Sequence, residues 1–463
     1  MDMTVESRLD LANALRLFGS SQNPPYKSLR LALTGGGGKS SALFQLARQL
    51  PPPVLLTAST HLAVSQLAQA DRHFYIRSVA ELKALEGQLF EGVTLVAGPD
   101  EGSPRTLGLS PEILEALHQM AGAQGVPLLV EADGSRRLPL KAPAAHEPAI
   151  PPFTNLAVSV VGLSGLGRPL CGAAVHRPEI FSDLSGVEMG AVIEPAAVIR
   201  VLLHPLGGLK RIPAQARQVV LLNQADDPGK VCLAAEMAQQ LLAGYQAVVV
   251  ASLGSQSPSV HAVHEKVAGI VLAGGGSSRL GKPKQLMEWQ GIPLVRHVCL
   301  TAISAGLSPL LVVSGAVSDQ VKAALEGMPV TFSHNPNWES GQASSVRSGV
   351  QALPADCGSA VFLLSDQPQV PVDLLKALVE AHARTLYPLV APRVQGQRAN
   401  PVLFDSVVFP ELLKLRGDSG GRSLFSDPRR YPVEWVDWDD PNLLLDVDTP
   451  ADYQRLLDME AKP

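Results

Sequence analysis

The stretch 269–284 carries the residue types of a phosphate-binding loop. A short apolar run, Gly269–Ala273, ends in three glycines, and Arg279, Lys282 and Lys284 follow closely. Glycines let the backbone approach an anion, and successive backbone N–H groups in such a turn form an anion-binding concavity. The arginine and the lysines can neutralise a triphosphate. The pattern therefore predicts a nucleotide site at the end of a strand.

A second glycine-rich loop lies near the start of the chain. The predicted strand Ser28–Thr34 leads through this loop into a helix-forming segment, which is the plan of a P-loop. In a P-loop the amides cradle phosphates, the lysine reaches the β/γ-phosphates and a hydroxyl binds Mg²⁺. Leu33 stands where the full pattern has glycine, so a purely structural turn is the alternative. The predicted phosphate-binding residues are Gly35, Gly36, Gly37, Gly38, Lys39, Ser40 and Ser41.

Acidic residues follow a later strand of the same half. Glu131 and Asp133 come directly after the predicted strand 127–130, and downstream of a P-loop such residues hold Mg²⁺ directly or through water. The alternative is a strand-end aspartate that caps the next turn. Asn223 and Asp226 follow the predicted strand 218–222 in an N-x-x-D pattern that resembles the base-reading motif of P-loop GTPases. Gln224 replaces the lysine of that motif, which leaves the base identity open.

Other polar residues of the first half stand out. Thr57, Ser59, Thr60 and His61 lie at the carboxyl end of a predicted strand, where ligands of α/β proteins bind. Lys141, His146 and Glu147, three polar residues of different kinds in one proline-rich loop, suggest the lining of a site. The run VHRPEIF further on contains His176, Arg177 and Glu179.

Two late carboxylates could complete the site at 269–284. Asp366 follows the predicted strand Ala360–Leu364, where an aspartate can hold Mg²⁺ across from a phosphate loop. Asp448 precedes a predicted C-terminal helix, and Asp446 could exchange roles with it. The alternative is that Asp448 or Thr449 only caps that helix, with a proline in its first turn.

The composition indicates a globular protein of more than one domain. The chain has 463 residues, 46% of them hydrophobic and 17% charged, with a net charge of −5. This acidic balance argues against a nucleic-acid partner. No apolar run reaches the length of a membrane span, and the first residues lack the pattern of a signal peptide. The four cysteines form no C-x-x-C, which favours reduced thiols and a cytoplasmic location.

The alternation of apolar strands and helical segments predicts the fold. We expect an α/β protein with two three-layer αβα domains, each with a mainly parallel sheet and a site at the carboxyl ends of its strands. The predicted limits are 1–252 for a P-loop-like domain and 267–463 for a Rossmann-like domain. The polar segment 253–266 between them is predicted to be an exposed linker.

The second half resembles a known family. LAGGGSSRLGKPK at 272–284 resembles the nucleotide loop of the MobA-like nucleotidyltransferases. QLMEWQGIPLVRHVC at 285–299 is most similar to the molybdenum cofactor cytidylyltransferases of that superfamily. The resemblance implies transfer of CMP from CTP to molybdopterin with Mg²⁺. It makes Arg279, Lys284, Asp366 and Asp448 catalytic, with the two aspartates as metal ligands.

The same resemblance implies which other residues bind the nucleotide and the pterin. The motif N-x-x-W-x-x-G followed by S-x-R-x-G occurs at 335–349, although an ordinary serine-capped helix start is the alternative there. The segments 396–404 and 416–425, with Asp418 and Arg422, would contact or gate the pterin. The implied nucleotide-binding residues are Leu272, Ala273, Gly274, Gly275, Gly276, Ser277, Ser314, Gly341, Ser345 and Arg347.

The first half resembles the YqeC-type proteins over about residues 28–251. The motifs are GGGGKSS, TASTH, VEADGSRRLPLKAPAAHEP, VVGLSGLG, VHRPE and NQAD. This resemblance implies an accessory factor of selenium-dependent molybdenum hydroxylases that binds ATP or GTP. A molybdenum hydroxylase of the xanthine dehydrogenase family is then the expected client.

Three functions are consistent with these patterns. The first is cytidylyl transfer to the molybdenum cofactor. The second is nucleotidyl transfer with GTP or to a sugar phosphate or other phosphate acceptor. The third is a chaperone that hydrolyses a nucleotide while it delivers the cofactor. Release of pyrophosphate distinguishes transfer from hydrolysis, which releases orthophosphate.

Overall fold

A computed structural model describes residues 9–18, 25–276 and 282–460. The chain forms two compact units, Met1–His264 and Glu265–Pro463. Their boundary falls inside the segment 253–266, but the expectation that this whole segment is an exposed loop is wrong. Its second half belongs to the strand Ser259–Ala273, in which Val263 is buried. Polar residues such as His261 fit a strand because alternate side chains of extended backbone point to opposite faces.

The first unit is built on a parallel sheet. Most of its strands are buried along their whole length, which explains why the sequence shows continuous apolar runs rather than alternation. The strands in spatial order are Arg72–Tyr75, Val93–Ala97, Val54–Ala58, Leu128–Glu131, Arg30–Gly35, Leu156–Gly162, Arg217–Asn223 and Ala247–Ser252. A separate parallel pair, Leu140–Lys141 with Val175–His176, lies outside this sheet.

Helices cover the sheet of the first unit. Pro111–Ala123 packs on a cluster that includes Leu128 and Val130, and Pro228–Leu241 packs on one that includes Val220. Leu129, which lies between Leu128 and Val130, is fully buried as well. Both faces of the strand Leu128–Glu131 are therefore covered. The α-helices are Leu11–Ala14, Lys39–Gln49, Val64–Leu67, Val79–Ala84, Glu86–Leu89, Pro111–Ala123, Pro178–Ser185, Pro195–Leu203 and Pro228–Leu241.

The second unit has a mixed sheet. Its main strands are parallel except Val402–Asp405, which runs antiparallel to both of its neighbours, and the short strand Gln397–Arg398 is antiparallel to its partner as well. The spatial order is Thr331–His334, Leu310–Ser314, Ser259–Ala273, Cys357–Leu364, Val402–Asp405, Leu389–Val394 and Val433–Asp437. The short strand Gln397–Arg398 pairs with Leu389–Val394, and Glu288–Trp289 forms a hairpin with Ile292–Pro293.

Two apolar clusters on opposite faces give the second unit three layers. Val271 packs under the helices Leu294–Ser304 and Val372–Thr385, whereas its neighbour Ile270 faces the helix Gln342–Gln351. The remaining α-helices are Ser318–Ala324, Phe409–Leu412 and Pro450–Glu460. The predicted α/β class is confirmed. None of the described helices is both long enough and apolar enough to cross a lipid bilayer.

Candidate functional site

The strand Ser259–Ala273 delivers its glycine-rich loop to the carboxyl edge of the sheet. The structure describes Gly274, Gly275 and Gly276, whereas the predicted residues Ser277 and Arg279 lie outside the described residues. Gln285, which is 2% exposed, holds the start of the loop. Its Nε2 donates to the carbonyls of Ala273 at 3.4 Å and Gly275 at 3.1 Å.

Close neighbours explain the glycines of this loop. A Cβ at Gly274 would lie 3.0 Å from Ser345 Oγ, and one at Gly276 would lie 2.9 Å from the Trp338 ring. Asn335 Nδ2 donates to Ser345 Oγ at 3.0 Å. The loop and the predicted N-x-x-W-x-x-G…S segment therefore lie against each other.

Lys284 joins the two predicted metal-binding aspartates. Its ammonium donates to Asp366 in a very short contact and to Asp448 Oδ1 at 2.8 Å. Asp366 follows the central strand Cys357–Leu364, and Asp448 precedes the last helix. Burial alone would lower the pKa of Lys284, but the two carboxylates outweigh it and raise that pKa. This corner of the site thus holds one cation between two anions.

Asp446 is the third carboxylate beside this corner. Its Oδ1 accepts a hydrogen bond of 2.5 Å from Gln367 Nε2. Burial, followed by repulsion from Asp366, raises the pKa of Asp446 above its ordinary value. Asp446 also lines the adjacent cavity, so its environment differs from that of Asp448.

A cavity of about 580 Å³ opens beside the carboxylates. The two segments expected to contact the pterin meet in it, because Arg398 and Asn400 line it together with Asp418 and Arg422. The Arg398 guanidinium lies 4.6 Å from the centroid of the Phe425 ring. Burial, and then repulsion by Arg422, lowers the pKa of Arg398. The cavity therefore presents two guanidinium groups and two carboxylates, those of Asp418 and Asp446, to a ligand.

Other predicted residues of this half have structural contacts. Ser314 is fully buried and its hydroxyl shares a 2.8 Å hydrogen bond with Ser318. The Arg347 guanidinium donates to the Leu415 carbonyl in a very short contact. Neither side chain is directed at the glycine loop. Gly341 begins the helix Gln342–Gln351 against the backbone of Gly417.

The first unit contains a buried network of ion pairs next to its glycine loop. Lys39 Nζ lies 3.2 Å from Asp133 Oδ1, and Lys141 Nζ lies 2.8 Å from both Asp133 Oδ2 and Glu147 Oε2. Arg177 forms a bidentate pair with Glu147 at 2.6 and 3.0 Å. Burial opposes ionisation of Glu147, but hydrogen bonds from Arg177 and Lys141 lower its pKa to about 2.

The glycine loop itself is occupied by neighbouring backbone. Gly36 N donates to Val160 O at 2.9 Å, and Gly37 N donates to Leu138 O at 3.0 Å. The expectation that these two amides cradle phosphates is therefore not met in this conformation. Gly37 has φ +80°, and a Cβ there would lie 2.3 Å from the Gly162 Cα, so both the turn and the packing require glycine.

The residues expected to hold Mg²⁺ contact each other, whereas the two residues expected to read a base differ in burial. Ser40 Oγ donates to Glu131 Oε2 at 3.0 Å, and burial raises the pKa of Glu131. Asn223 is 1% exposed. Its Nδ2 donates to Gly37 O at 2.7 Å, and its Oδ1 accepts from Leu253 N at 2.9 Å. The Asn223 side chain therefore stabilises the glycine loop. Asp226 is exposed beyond the end of the strand.

Comparisons with known proteins relate each unit to a family. Residues 31–179 match the model of the YqeC protein family, and residues 269–433 match the MobA-like NTP transferase domain. The "Uncharacterized protein YqeC" of Escherichia coli (strain K12) is 30% identical over 46% of this chain and 82% of its own length. The "Purine catabolism protein PucB" of Bacillus subtilis (strain 168) is 32% identical over 41% of this chain and 94% of its own length.

The chain belongs to both families. It is a YqeC unit fused to a MobA-like unit, and the MobA-like unit is a nucleotidyltransferase. A further relative, a "Probable molybdenum cofactor guanylyltransferase" of Bacillus cereus (strain AH187), is 32% identical over 30% of this chain and 66% of its own length.

The corner around Lys284 fits a divalent metal ion in the MobA-like unit. Asp366 and Asp448 already contact one cationic group, and both offer the hard oxygen ligands that Mg²⁺ prefers. Among the described residues, no three His, Cys, Asp or Glu side chains converge as a complete metal centre. Mg²⁺ is commonly bound by one or two carboxylates with phosphate oxygens and waters, so two suffice.

Several residues that organise the two sites were not predicted. Gln285 and Gln367 position the glycine loop and Asp446 of the MobA-like unit. In the YqeC unit Arg105 and Arg136 line a cavity with residues that were predicted. The glutamines directly follow or adjoin recognised motifs, which is a usable signal. Arg136 lies inside the recognised run VEADGSRRLPLKAPAAHEP, whereas Arg105 lies in a loop without a pattern of its own.

Proposed function

We propose that the MobA-like unit transfers CMP from CTP to the terminal phosphate of the molybdenum cofactor and releases pyrophosphate. The observation that carries this proposal is the position of Lys284 between Asp366 and Asp448, next to the glycine-rich loop. The lysine ammonium can neutralise phosphate oxygens, and the two carboxylates can bind Mg²⁺. Both lie beside a loop of backbone amides. The names of the relatives support the molybdenum cofactor as the substrate class.

The reaction requires alignment more than covalent participation by the protein. An oxygen of the acceptor phosphate attacks the α-phosphorus of CTP, and a new P–O bond forms. The bond from the α-phosphorus to the bridging oxygen of the β-phosphate breaks, and its electron pair leaves with pyrophosphate. Positioning and charge stabilisation supply most of the rate enhancement for such a displacement.

Each described residue has a defined part in this scheme. The glycine loop, held by Gln285, presents its backbone to the triphosphate, and Lys284 supplies positive charge to the phosphates. Asp366 and Asp448 would hold Mg²⁺, which when bound neutralises phosphate charge and polarises the phosphoryl oxygens. Arg279 is proposed to stabilise the leaving pyrophosphate.

The acceptor is proposed to occupy the cavity of about 580 Å³ next to Asp446. Arg398 and Arg422 can bind the acceptor phosphate, since a guanidinium matches phosphate in geometry and charge. The Phe425 ring lies 4.6 Å from the Arg398 guanidinium and supports that side chain at the cavity wall. Asp418 can accept hydrogen bonds from ring N–H groups.

The choice of CTP rests on the run 285–299, which is most similar to the cytidylyltransferases. GTP is the direct competitor, because one relative is named as a guanylyltransferase. A different phosphate acceptor is the third possibility. These alternatives differ in the base or in the acceptor, and not in the use of Lys284, Asp366 and Asp448.

For the YqeC unit we propose an accessory role in maturing a molybdenum hydroxylase of the xanthine dehydrogenase family, including selenium-dependent members. Lys39 and Ser40 at a helix start, with Glu131 and Asp133 beside them, support binding of ATP or GTP with Mg²⁺. Fusion to the MobA-like unit supports successive steps on one cofactor. A nucleotide-driven delivery chaperone is the competing function.

The test is pyrophosphate release by the purified chain with Mg²⁺ and molybdenum cofactor, offering CTP, GTP and ATP in separate reactions. We expect release with CTP, and only when the cofactor is present. A parallel assay of orthophosphate detects hydrolysis. A reaction without cofactor is the control for slow nucleotide breakdown.

The outcomes separate the alternatives. Release with GTP instead of CTP would move the unit to guanylyl transfer. Release with CTP and a sugar phosphate, but not with the cofactor, would identify a different acceptor. If no nucleotide gives pyrophosphate but orthophosphate is released, nucleotidyl transfer is overturned and the delivery chaperone is favoured.

A further inference from the structure

The YqeC unit contains a second cavity, of about 550 Å³. Its walls come from five separate places in the chain, around positions 60, 106, 135, 147 and 176, which the fold brings together. Residues of the glycine loop do not form part of the lining described for it. The cavity is therefore distinct from the phosphate loop, although Glu147 connects it to the buried ion pairs.

The charge on the cavity walls is predominantly positive. Arg105, Arg136 and Arg177 line it, and the carboxylate among the described lining residues is that of Glu147. Glu147 is already paired with Arg177 and Lys141. Arg105 and Arg136 form no ion pair with any carboxylate in the described part of the chain. Two guanidinium groups thus remain available to an anion.

Imidazole and hydroxyl groups accompany these arginines. His61, His146 and His176 line the cavity, and the buried Thr60 hydroxyl has no partner within the described residues. His61 Nδ1 lies 2.9 Å from the Thr106 carbonyl, so Nδ1 donates there and Nε2 is left for a ligand. Burial, and then the charges of Arg177, Lys141 and Arg136, lowers the pKa of His176 to about 4.

We propose that this cavity binds the phosphate group of a small molecule. Guanidinium groups pair with phosphate oxygens through charge-assisted, often bidentate hydrogen bonds, and hydroxyl and imidazole groups complete such sites. A cavity of this size is in the range of ligand pockets, roughly 300–1,000 Å³, so it has room for more than the phosphate alone. The inference is independent of nucleotidyl transfer by the MobA-like unit.

Backbone geometry supports a built site. Arg136 and Arg177 have φ of 52° and 65°, in the left-handed region that non-glycine residues rarely adopt. Such conformations persist where the surrounding structure holds them, and they are frequent at binding sites. In Arg177 the bidentate pair with Glu147 fixes the guanidinium at the cavity wall.

The test is isothermal titration of the full chain, without Mg²⁺ or nucleotide, using inorganic phosphate, ribose 5-phosphate and acetate. We expect both phosphates to bind and acetate not to bind. Tighter binding of ribose 5-phosphate would indicate an organic phosphate as the ligand, and tighter binding of inorganic phosphate would indicate the free ion. Binding of acetate with equal affinity, or no phosphate binding, would overturn the proposal.

Matched variants assign the binding to this cavity. Arg105→Gln and Arg136→Gln should each weaken phosphate binding about tenfold, since each removes a charge-assisted hydrogen bond. Arg137→Gln is the control, because Arg137 is adjacent, exposed and also has positive φ, but does not line the cavity. Equal affinity in all four proteins, or equal weakening by Arg137→Gln, would contradict the assignment.

A local readout distinguishes this cavity from the MobA-like site. Diethyl pyrocarbonate modification, mapped by mass spectrometry with and without phosphate, reports on exposed histidines one by one. Phosphate should protect His61 and His146, which are exposed at the cavity, and leave the exposed His73 unchanged. Binding of phosphate without this protection would place it elsewhere and overturn the proposal.

Discussion

Lys284 contacts Asp366 and Asp448, which lie 82 and 164 residues later in the chain. The side chain of Lys284 is 21% exposed and that of Asp366 is 11% exposed, so solvent screens their interaction only in part. Removing one member of a buried ion pair leaves an uncompensated charge, which is why such residues are sensitive to substitution. The triad is therefore suited to bind charged phosphates and is easily disrupted.

The first prediction concerns Asp366. Asp366→Asn should lower kcat for pyrophosphate release by about 10²–10³, because a preorganised charge at the reacting phosphates is lost. The readout is steady-state pyrophosphate release, with circular dichroism to verify folding.

Asp356→Asn is the matched control for that substitution. Asp356 also pairs with a lysine, Lys266, at 2.6 Å, but lies outside the site. Its kcat should remain within about twofold of the parent, as expected for an exposed ion pair. Similar losses in both variants, or full activity of Asp366→Asn, would show that Asp366 has no special role.

The helix Gln342–Gln351 contacts both the glycine loop and the loop at 417–420 of the MobA-like unit. It carries Ser345 toward the glycine loop, and its first residues contact the loop at 417–420. Ala343 N donates to Gly417 O at 3.0 Å. Gly341 begins this helix with φ +101°, and a Cβ there would lie 2.6 Å from Gly417 O. Both conformation and packing therefore require glycine at this position.

The second prediction is made at this helix start. Gly341→Ala should lower the free energy of unfolding by about 1–3 kcal/mol more than Gly327→Ala, because the new Cβ would also clash with Gly417 O. It should also raise the KM for the acceptor, because the loop at 417–420 must move away. Urea denaturation and steady-state kinetics measure the two effects.

Gly327→Ala supplies the comparison. Gly327 has φ +79°, yet a Cβ there would meet no atom within 4 Å. The substitution therefore isolates the cost of the left-handed conformation. Equal free energies of unfolding and equal KM values for the two variants would mean that the contact with Gly417 has no consequence.

At the scale of the whole molecule, each unit has its own apolar clusters and its own site. The YqeC unit is notable for histidines with lowered pKa values. Burial lowers the pKa of His264 to about 4, and His176 has a pKa of about 4 for the reasons given above. Both are neutral in the folded protein at pH values where an unfolded histidine, with a pKa near 6.5, becomes charged.

The third prediction is a loss of stability on acidification. At these two histidines the unfolded state binds more protons than the folded state between about pH 6.5 and pH 4, so their contribution to the free energy of unfolding falls as the pH falls. The raised pKa values of Glu131 and Asp446 act in the opposite direction. The slope due to His264 approaches about 1.4 kcal/mol per pH unit, and His176 contributes less because solvent screens it. Glu147, with a pKa of about 2, adds a further loss below about pH 4.5.

Urea denaturation at a series of pH values measures this dependence. His264→Gln should flatten the slope between pH 6.5 and 4, whereas His73→Gln, at an exposed position, should retain it. A parent slope of zero across that interval, or an unchanged slope in His264→Gln, would contradict the prediction.

The sequence by itself determined the local strand–loop–helix plan and the residue types at the strand ends. Asp366, Asp448, Ser345 and the glycine loop at 274–276 could be proposed as site residues because each lies in a short pattern. Burial periodicity, turn residues and helix starts are properties of neighbouring residues. The α/β class follows from their alternation, and the family resemblance of each half followed from the same motifs.

Only the tertiary structure decided what these local elements contact. Gly37 N donates to Leu138 O, about 100 residues later in the chain. The P-loop pattern could not reveal that this amide already has a backbone acceptor. The sequence singled out several residues that line the second cavity, such as His61, Glu147 and Arg177, but not that they share one cavity with Arg105. Strand order and packing bring these segments together, and those depend on interactions between distant residues. The same reason explains why the predicted linker 253–266 is not a loop throughout. Its second half belongs to the strand Ser259–Ala273.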